Sequence, residues 1–166
     1  MPEPPRILAA TYGQAAAIRI IGRANFKISQ PLRDFGIKMI AHGVKSLIFD
    51  LSECQGMDST ILGVFAMIGL EGRDKTEVII VNADESVRSS LDVVGVSRLC
   101  RFAEQPVENL NWKQLGEAAA GATDMTEVAP TVLEAHQTLM ELDQSNVPKF
   151  KDVVELLESE VKQNNE

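Results

Sequence analysis

The chain has 166 residues, of which 45% are hydrophobic and 24% charged, and its formal net charge is −8. Such a composition is typical of a globular domain that buries a core without disulfides or metal. Residues 1–104 contain twelve acidic and twelve basic side chains, whereas residues 127–166 contain nine and three. The acidic excess therefore lies near the C-terminus, and the chain lacks the clustered Lys and Arg that a nucleic-acid-binding surface needs.

The cellular location of the protein is predicted from three features that the sequence does not show. The first residues show no basic segment followed by an apolar one, so no signal peptide is expected. The apolar stretches at residues 61–70 and 78–81 are too short to cross a bilayer, and an acidic tail does not favour anionic membranes. Cys54 and Cys100 have no metal-binding spacing and are typical of buried thiols in a reducing compartment. A cytoplasmic protein without membrane insertion is expected.

The N-terminal elements are a strand pair and a helix. Residues 6–12 and 15–21 predict two strands joined by a turn at Gly13, which gives a hairpin. A helix is predicted to follow, with Ser29 as its N-cap and with its end at Gly43.

Strands and helices then alternate. Residues 46–51 form an apolar run of strand length, which indicates a central strand covered by helices. A loop is predicted at residues 52–57, a largely buried helix from residue 58 to residue 72, and a second buried strand at residues 77–82. A third helix, capped by Asp84, ends at Gly95. This order predicts an α/β fold with a mixed, mainly parallel sheet of four to five strands.

The C-terminal part is predicted to be helical. Residues 1–104 form the α/β domain, residues 105–130 a linker in which Trp112 and Leu115 lie on a short helix, and residues 131–164 a helical hairpin. The hairpin's second helix carries one apolar stripe, which either packs on its own domain or serves as a docking surface for a partner or for a second copy in a homodimer. The stripe consists of Phe150, Val153, Val154, Leu157 and Val161.

The candidate functional motif is Met57-Asp58-Ser59-Thr60, between an apolar strand and an apolar helix. It continues as Ile61-Leu62-Gly63-Val64. In this element order the motif resembles the STAS family, whose best-known members are bacterial anti-sigma factor antagonists. The family's pattern is a strand, a loop and then Asp-Ser-(Ser or Thr)-Gly-Leu-Gly at the start of a helix. The resemblance covers about residues 6–104.

The resemblance implies a protein-binding regulator and no enzyme or cofactor. By analogy, Ser59 is phosphorylated by a partner serine kinase that doubles as an anti-sigma factor, and a PP2C-type phosphatase resets the switch. The partner-binding positions implied in this sequence are Asn25, Asp58, Thr60, Ile61 and Val64. Two of them depart from the family, which commonly has an acid at the position of Asn25 and Gly at that of Ile61.

Physical chemistry is compatible with such a switch, because a helix N-terminus tolerates a phosphate. Two alternatives remain. The chain is a constitutive STAS subunit of a larger signalling or transport complex, or a nucleotide-binding protein, although the loop at Gly22 lacks a phosphate-binding glycine fingerprint. His42 and His136 are interpreted as packing residues, and no metal site is predicted.

Overall fold

The long second strand of the sheet is paired with other strands along both of its edges. In this computed structural model, residues 3–104, 107, 109–115 and 125–164 are described. β1 (Arg6–Tyr12) and β2 (Ala15–Ala24) form the predicted antiparallel hairpin, and β3 (Ser46–Asp50) pairs with β2 in parallel. The C-terminal half of β2 also pairs in parallel with a short strand, β4 (Cys54–Met57). The prediction of a loop over residues 52–57 is thus wrong for β4, whose sequence has no alternating apolar pattern.

Three further strands complete the sheet. β5 (Glu77–Val81) pairs in parallel with β3, and β6 (Arg101–Ala103) pairs in parallel with β5. β7 (Lys113–Gln114) lies antiparallel to β1, and the main path of the sheet is β6-β5-β3-β2-β1-β7. The predicted α/β class with a mainly parallel sheet is confirmed. The described residues contain more strands than the four to five expected, because β4, β6 and β7 are too short to be predicted from the sequence.

The three central helices are found where the sequence predicts them. They are α1 (Ser29–Ala41), α2 (Ser59–Glu71) and α3 (Glu85–Val93). Asp84 caps α3 by accepting a hydrogen bond from the Val87 amide at 2.8 Å. Ser29 does not cap α1 as predicted, because its hydroxyl donates to the Phe26 carbonyl and closes a 3-10 turn that precedes the helix.

The predicted C-terminal hairpin is confirmed. α4 (Met125–Leu142) and α5 (Val147–Asn164) are joined by a 3-10 turn at Gln144–Asn146, and they run antiparallel. α4 begins at Met125 instead of residue 131, and it contains Pro130. A proline near the start of a helix removes few hydrogen bonds, so packing of α4 on its neighbours outweighs the local signal.

Within the described residues, the helices pack on one of the two faces of the sheet. The main core lies between that face and the helices, and it includes Ile18, Leu47 and Phe49. On the opposite face, a smaller cluster of β-strand residues packs against Val107, with Leu110 and Trp112 alongside. Both faces of β3 are therefore buried, as its apolar sequence predicts. The second face is covered by Val107, Leu110 and Trp112, which lie outside any helix.

The prediction of a short helix at Trp112 and Leu115 is wrong. Trp112 packs on the second face of the sheet, and the Leu115 amide donates to the Ile7 carbonyl at 2.9 Å, continuing the pairing of β7 with β1. The pairing follows from contacts distant in sequence, and the residues of β7 carry no strand pattern of their own.

An arginine joins the second face to its cover. The Arg19 guanidinium donates to the Asp50 carboxylate at 2.8 Å and to the Val107 carbonyl at 2.9 Å, and it lies 4.5 Å from the centre of the Trp112 ring. Burial on its own raises the pKa of Asp50, but hydrogen bonds from Arg19 and Ser52 outweigh it and hold the pKa below its ordinary value. Arg19 thus links β2, β3 and the segment that covers them.

We expect Arg19→Met to lower the free energy of unfolding by about 2–3 kcal/mol, because it leaves the buried Asp50 carboxylate without its cation. Arg101→Met is the matched control, since the Arg101–Glu77 pair is half exposed and should contribute less than about 1 kcal/mol. Urea unfolding followed by circular dichroism measures both. Equal losses for the two variants would contradict the assignment.

The same pair predicts an acid dependence of stability. Because the pKa of Asp50 in the folded protein is below its ordinary value of 3.8, the carboxylate stabilises the fold above that pH, and the contribution is lost as pH falls through the folded pKa. The difference in unfolding free energy between the unsubstituted protein and Asp50→Asn should therefore shrink below pH 3.8. A difference that stays constant from neutral pH into this range would rule out the ionised pair as its source.

Candidate functional site

The start of α2 lies beside the loop that follows β2. β4 returns the chain to β2, where Met57 pairs with Ala24. The Asp58 amide then donates a hydrogen bond to the Ala24 carbonyl at 3.0 Å. This pairing brings Asn25 and Asp58, two of the predicted site residues, to the same edge of the molecule.

Asp58 uses both carboxylate oxygens at this edge. Its Oδ1 accepts from the Ile61 amide and its Oδ2 from the Phe26 amide, each at 2.9 Å. Burial raises the pKa of Asp58 above its ordinary value, and the hydrogen bonds from these amides only partly offset it. Asp58 is therefore the N-cap of α2 and also ties the helix to the loop after β2.

Ser59 is the first residue of α2 and is half-buried. Its Oγ lies 2.8 Å from Nε2 of His136 on α4, and Nδ1 of the same ring lies 2.7 Å from the Val132 carbonyl. Because a carbonyl only accepts, the proton must be on Nδ1. In the neutral ring Nε2 then accepts a hydrogen bond from the Ser59 hydroxyl.

A serine hydroxyl bonded to a histidine, as Ser59 is to His136, is also the first part of a nucleophilic dyad. Acyl transfer needs free donors for the developing oxyanion. The Asp58 carboxylate already occupies amides of the first turn of α2, including that of Ile61, and places a negative charge there. The arrangement therefore holds the Ser59 hydroxyl between Asp58 at the start of α2 and His136 of α4.

The remaining predicted partner-binding residues divide into two groups. Thr60, Ile61 and Val64 are buried, with exposures of 4%, 0% and 0%. Asn25 is half-buried, and its side chain accepts a hydrogen bond from the Lys27 amide at 3.0 Å. In this conformation the edge around Ser59 is therefore formed by Asn25 and Asp58, while Ile61 and Val64 belong to the core.

Helix α4 lies in close contact with α2 at Gly63. A Cβ atom added to Gly63 would lie 2.4 Å from the Ala135 carbonyl oxygen and 2.6 Å from the Ala135 Cβ. The glycine in the motif therefore allows close contact between two helix backbones. The contact lies one turn beyond Ser59, on the same face of α2.

Sequence reasoning missed the partnership of His136 with Ser59. The predicted packing role is compatible with its burial and with its edge contact to Phe150, whose ring centre is 5.2 Å away. The two hydrogen-bonding residues are separated by 77 positions, so no motif spacing joins them. The only available signal was a polar ring on the apolar face of a helix, which needs a partner but does not identify it.

Neither a metal centre nor a membrane-spanning helix is found among the described residues. No group of three or more His, Cys, Asp or Glu side chains is placed to hold a metal ion within the described part of the chain. Across the same residues, no helix combines the length and apolar character needed to span a membrane.

Comparison with known proteins identifies the family. Residues 6–108 match the model of the STAS domain. The chain belongs to the STAS domain family. The match includes the Asp58–Ser59 turn and confirms the resemblance seen in the sequence, and it ends before α4 and α5. No curated protein matches the sequence closely enough to count as a relative.

Several solved structures share the STAS fold. The unphosphorylated anti-sigma factor antagonist SpoIIAA is 18% identical with a TM-score of 0.52, over 62% of this chain and 91% of that one. A candidate anti-sigma factor antagonist from Thermotoga maritima is 15% identical with a TM-score of 0.52, over 60% and 86%. The phosphorylated Bacillus SpoIIAA is 17% identical with a TM-score of 0.49, over 60% and 92%. At these identities the likeness shows the fold alone.

Because Asp58 both caps α2 and holds the loop after β2, its loss should lower the free energy of unfolding more than the loss of an ordinary helix cap. Asp58→Ala should lower the free energy of unfolding by about 2 kcal/mol, because it removes two hydrogen bonds, while Asp84→Ala removes one cap and should cost about 1 kcal/mol. Thermal and urea unfolding of both variants give the comparison. If Asp84→Ala costs as much as Asp58→Ala, the bond to Phe26 contributes nothing to stability.

Proposed function

We propose that this STAS-domain protein is a cytoplasmic, non-enzymatic regulator of the anti-sigma factor antagonist type, switched by phosphorylation of Ser59. Two findings support the proposal. The chain belongs to the STAS family, and the solved structures that share its fold include the anti-sigma factor antagonist SpoIIAA in its unphosphorylated form.

The observation that carries the proposal is the placement of the Ser59 hydroxyl. It stands at the first residue of α2, half-buried, next to Asn25 and Asp58 at the edge of the domain. A phosphate there adds about −1.5 to −2 charges at pH 7. The helix N-terminus favours this charge, whereas the Asp58 carboxylate repels it. The added charge therefore acts at the surface around α2 and leaves the sheet intact.

The proposed partners are those that an anti-sigma factor antagonist would have. The unphosphorylated form binds a serine kinase that doubles as an anti-sigma factor, which frees a sigma factor. Phosphorylation of Ser59 then weakens this complex through charge repulsion and bulk. A phosphatase of the PP2C type restores the binding form.

A second candidate function is a constitutive STAS subunit of a larger complex, without phosphorylation. The cover that α4 places over Ser59 favours it, because a kinase does not reach a hydroxyl that is held between two helices. A homodimer through the C-terminal helices also remains a proposal. Most of the apolar stripe packs within the chain, where Val154 and Leu157 are buried, but Val153 and Leu156 are exposed on α5.

The test is phosphopeptide mapping of the protein purified from its native cells, with and without stress. We expect phosphate on Ser59, its level changing with stress, and loss of the regulatory response in Ser59→Ala. Ser90→Ala is the matched control, because Ser90 is a half-buried helical serine whose hydroxyl donates to the Ser86 carbonyl of its own helix. Absence of phosphate in all conditions, with Ser59→Ala behaving as Ser90→Ala does, would favour the constitutive subunit.

A further inference from the structure

Helix α2 needs cover on two opposite sides. Every residue from Thr60 to Gly69 is buried. On the inner side Phe65 packs against Phe49 of the sheet, with ring centres 4.5 Å apart. On the outer side Gly63 meets α4. The outer side is therefore an apolar surface that the α/β domain itself does not cover.

The shape of this outer surface determines what can occupy it. At Gly63 the facing backbone comes so close that a single added methyl group would overlap the Ala135 carbonyl and Cβ. Close contact of this kind is made by a helix that carries a small residue at the crossing point. In this chain that residue is Ala135.

The candidate phosphorylation site belongs to the same contact. Ser59 precedes Gly63 by one helical turn, so both lie on one face of α2. The hydroxyl of Ser59 is bonded to His136, the residue that follows Ala135. A protein that binds α2 around Ser59 and Gly63 must therefore displace α4 first.

We propose that the face of α2 containing Ser59 and Gly63 is the docking surface for the partner, which presents a helix with a small residue opposite Gly63. Helix α4 occupies this surface in the same manner and keeps it closed, so that partner and hairpin compete. This inference rests on the proposed function, because it assigns the regulation of the same serine.

The polar contacts of the hairpin are compatible with release of α4. The Arg33–Glu134 pair, at 3.4 Å, and the Arg98–Asp143 pair, at 2.8 Å, are partly exposed to solvent, which weakens the hold of both pairs on the hairpin. Two buried polar side chains also anchor the hairpin: Asn146 donates to the Val94 carbonyl at 2.9 Å, and His136 is bonded to the Ser59 hydroxyl at 2.8 Å. Asn146 lies at the turn between α4 and α5, so the cover over Ser59 depends on the bond to His136 and on apolar packing.

The first experiment measures access to position 59 in the full chain. A thiol introduced by Ser59→Cys is labelled with N-ethylmaleimide, and the site is identified by peptide mass spectrometry. The native thiols give little background, because burial raises the pKa of Cys54 and raises that of Cys100 to about 12, so few thiolates form. The labelling rate at position 59 then reports how often α4 leaves α2.

Two pairs of variants, each combined with Ser59→Cys, test whether α4 covers position 59; one pair alters α2 and the other alters the hairpin. From α2, Gly63→Ala should be labelled faster than its control Gly69→Ala, in which the added Cβ meets Leu99 and not the hairpin. From α4, Leu139→Ala removes a buried side chain, whereas Leu156→Ala removes one that is 63% exposed. Gly63→Ala and Leu139→Ala should accelerate labelling at least about tenfold, the ratio that a loss of about 1.4 kcal/mol produces.

Amide hydrogen exchange of β3 and β5 shows whether the sheet remains folded in each variant. Faster labelling confined to Gly63→Ala and Leu139→Ala, with β3 and β5 still protected, supports the cover. Labelling as slow in both as in their controls, or faster only where the protection of β3 and β5 is also lost, overturns it. This result does not depend on whether Ser59 is phosphorylated, which the phosphopeptide mapping tests separately.

The second experiment tests the helical partner, by measuring the phosphorylated fraction of Ser59 in native cells. Leu139→Ala opens the surface without altering it, so phosphorylation should rise above that of Leu156→Ala. Gly63→Ala also opens the surface but blocks a close helix, so phosphorylation should fall below that of Gly69→Ala. An increase in Gly63→Ala equal to that in Leu139→Ala would show that the partner does not use the Gly63 contact.

Discussion

The burial of α2 on two opposite sides is the constraint on which the rest of the structure depends. A helix that is apolar all round cannot lie at the surface of a two-layer fold, because one side would remain in water. The sheet covers the inner side through Phe49 and its neighbours, and α4 covers the outer side at Gly63. The C-terminal hairpin is therefore a third layer, although the STAS match ends before it.

The burial of α2 also determines which groups surround the Ser59 hydroxyl. Asp58 fixes the start of α2 and the loop after β2 with one carboxylate, and this places the Ser59 hydroxyl at the border between domain and hairpin. His136 then binds the hydroxyl from the hairpin side. A modification at this one oxygen is consequently placed to act on two neighbours at once, the helix that carries it and the helix that covers it.

Most of the fold could be predicted because long apolar runs and caps carry strong local signals. The strands at β1, β3 and β5, the helix starts at Asp58 and Asp84, and the hairpin were all visible in the sequence. The short strands were not, since the Cys54–Met57 and Lys113–Gln114 segments pair only through contacts made elsewhere in the chain. For the candidate site, Ser59 and its helix were predictable from the motif. The contact with His136 was not, because it depends on which surface α4 covers.

The hairpin also sets the order in which the protein is completed during synthesis. Residues 125–164 leave the ribosome after α2, and on the order of 5–20 s separate residues 71 and 164 at ordinary translation rates. During this interval the outer face of α2 has no cover, so the growing chain exposes an apolar helix with Gly63 at its centre. Such a surface attracts chaperones and other unfinished chains. Newly made molecules should therefore be more prone to aggregation than finished ones, and the vulnerable period ends only when α4 reaches its place.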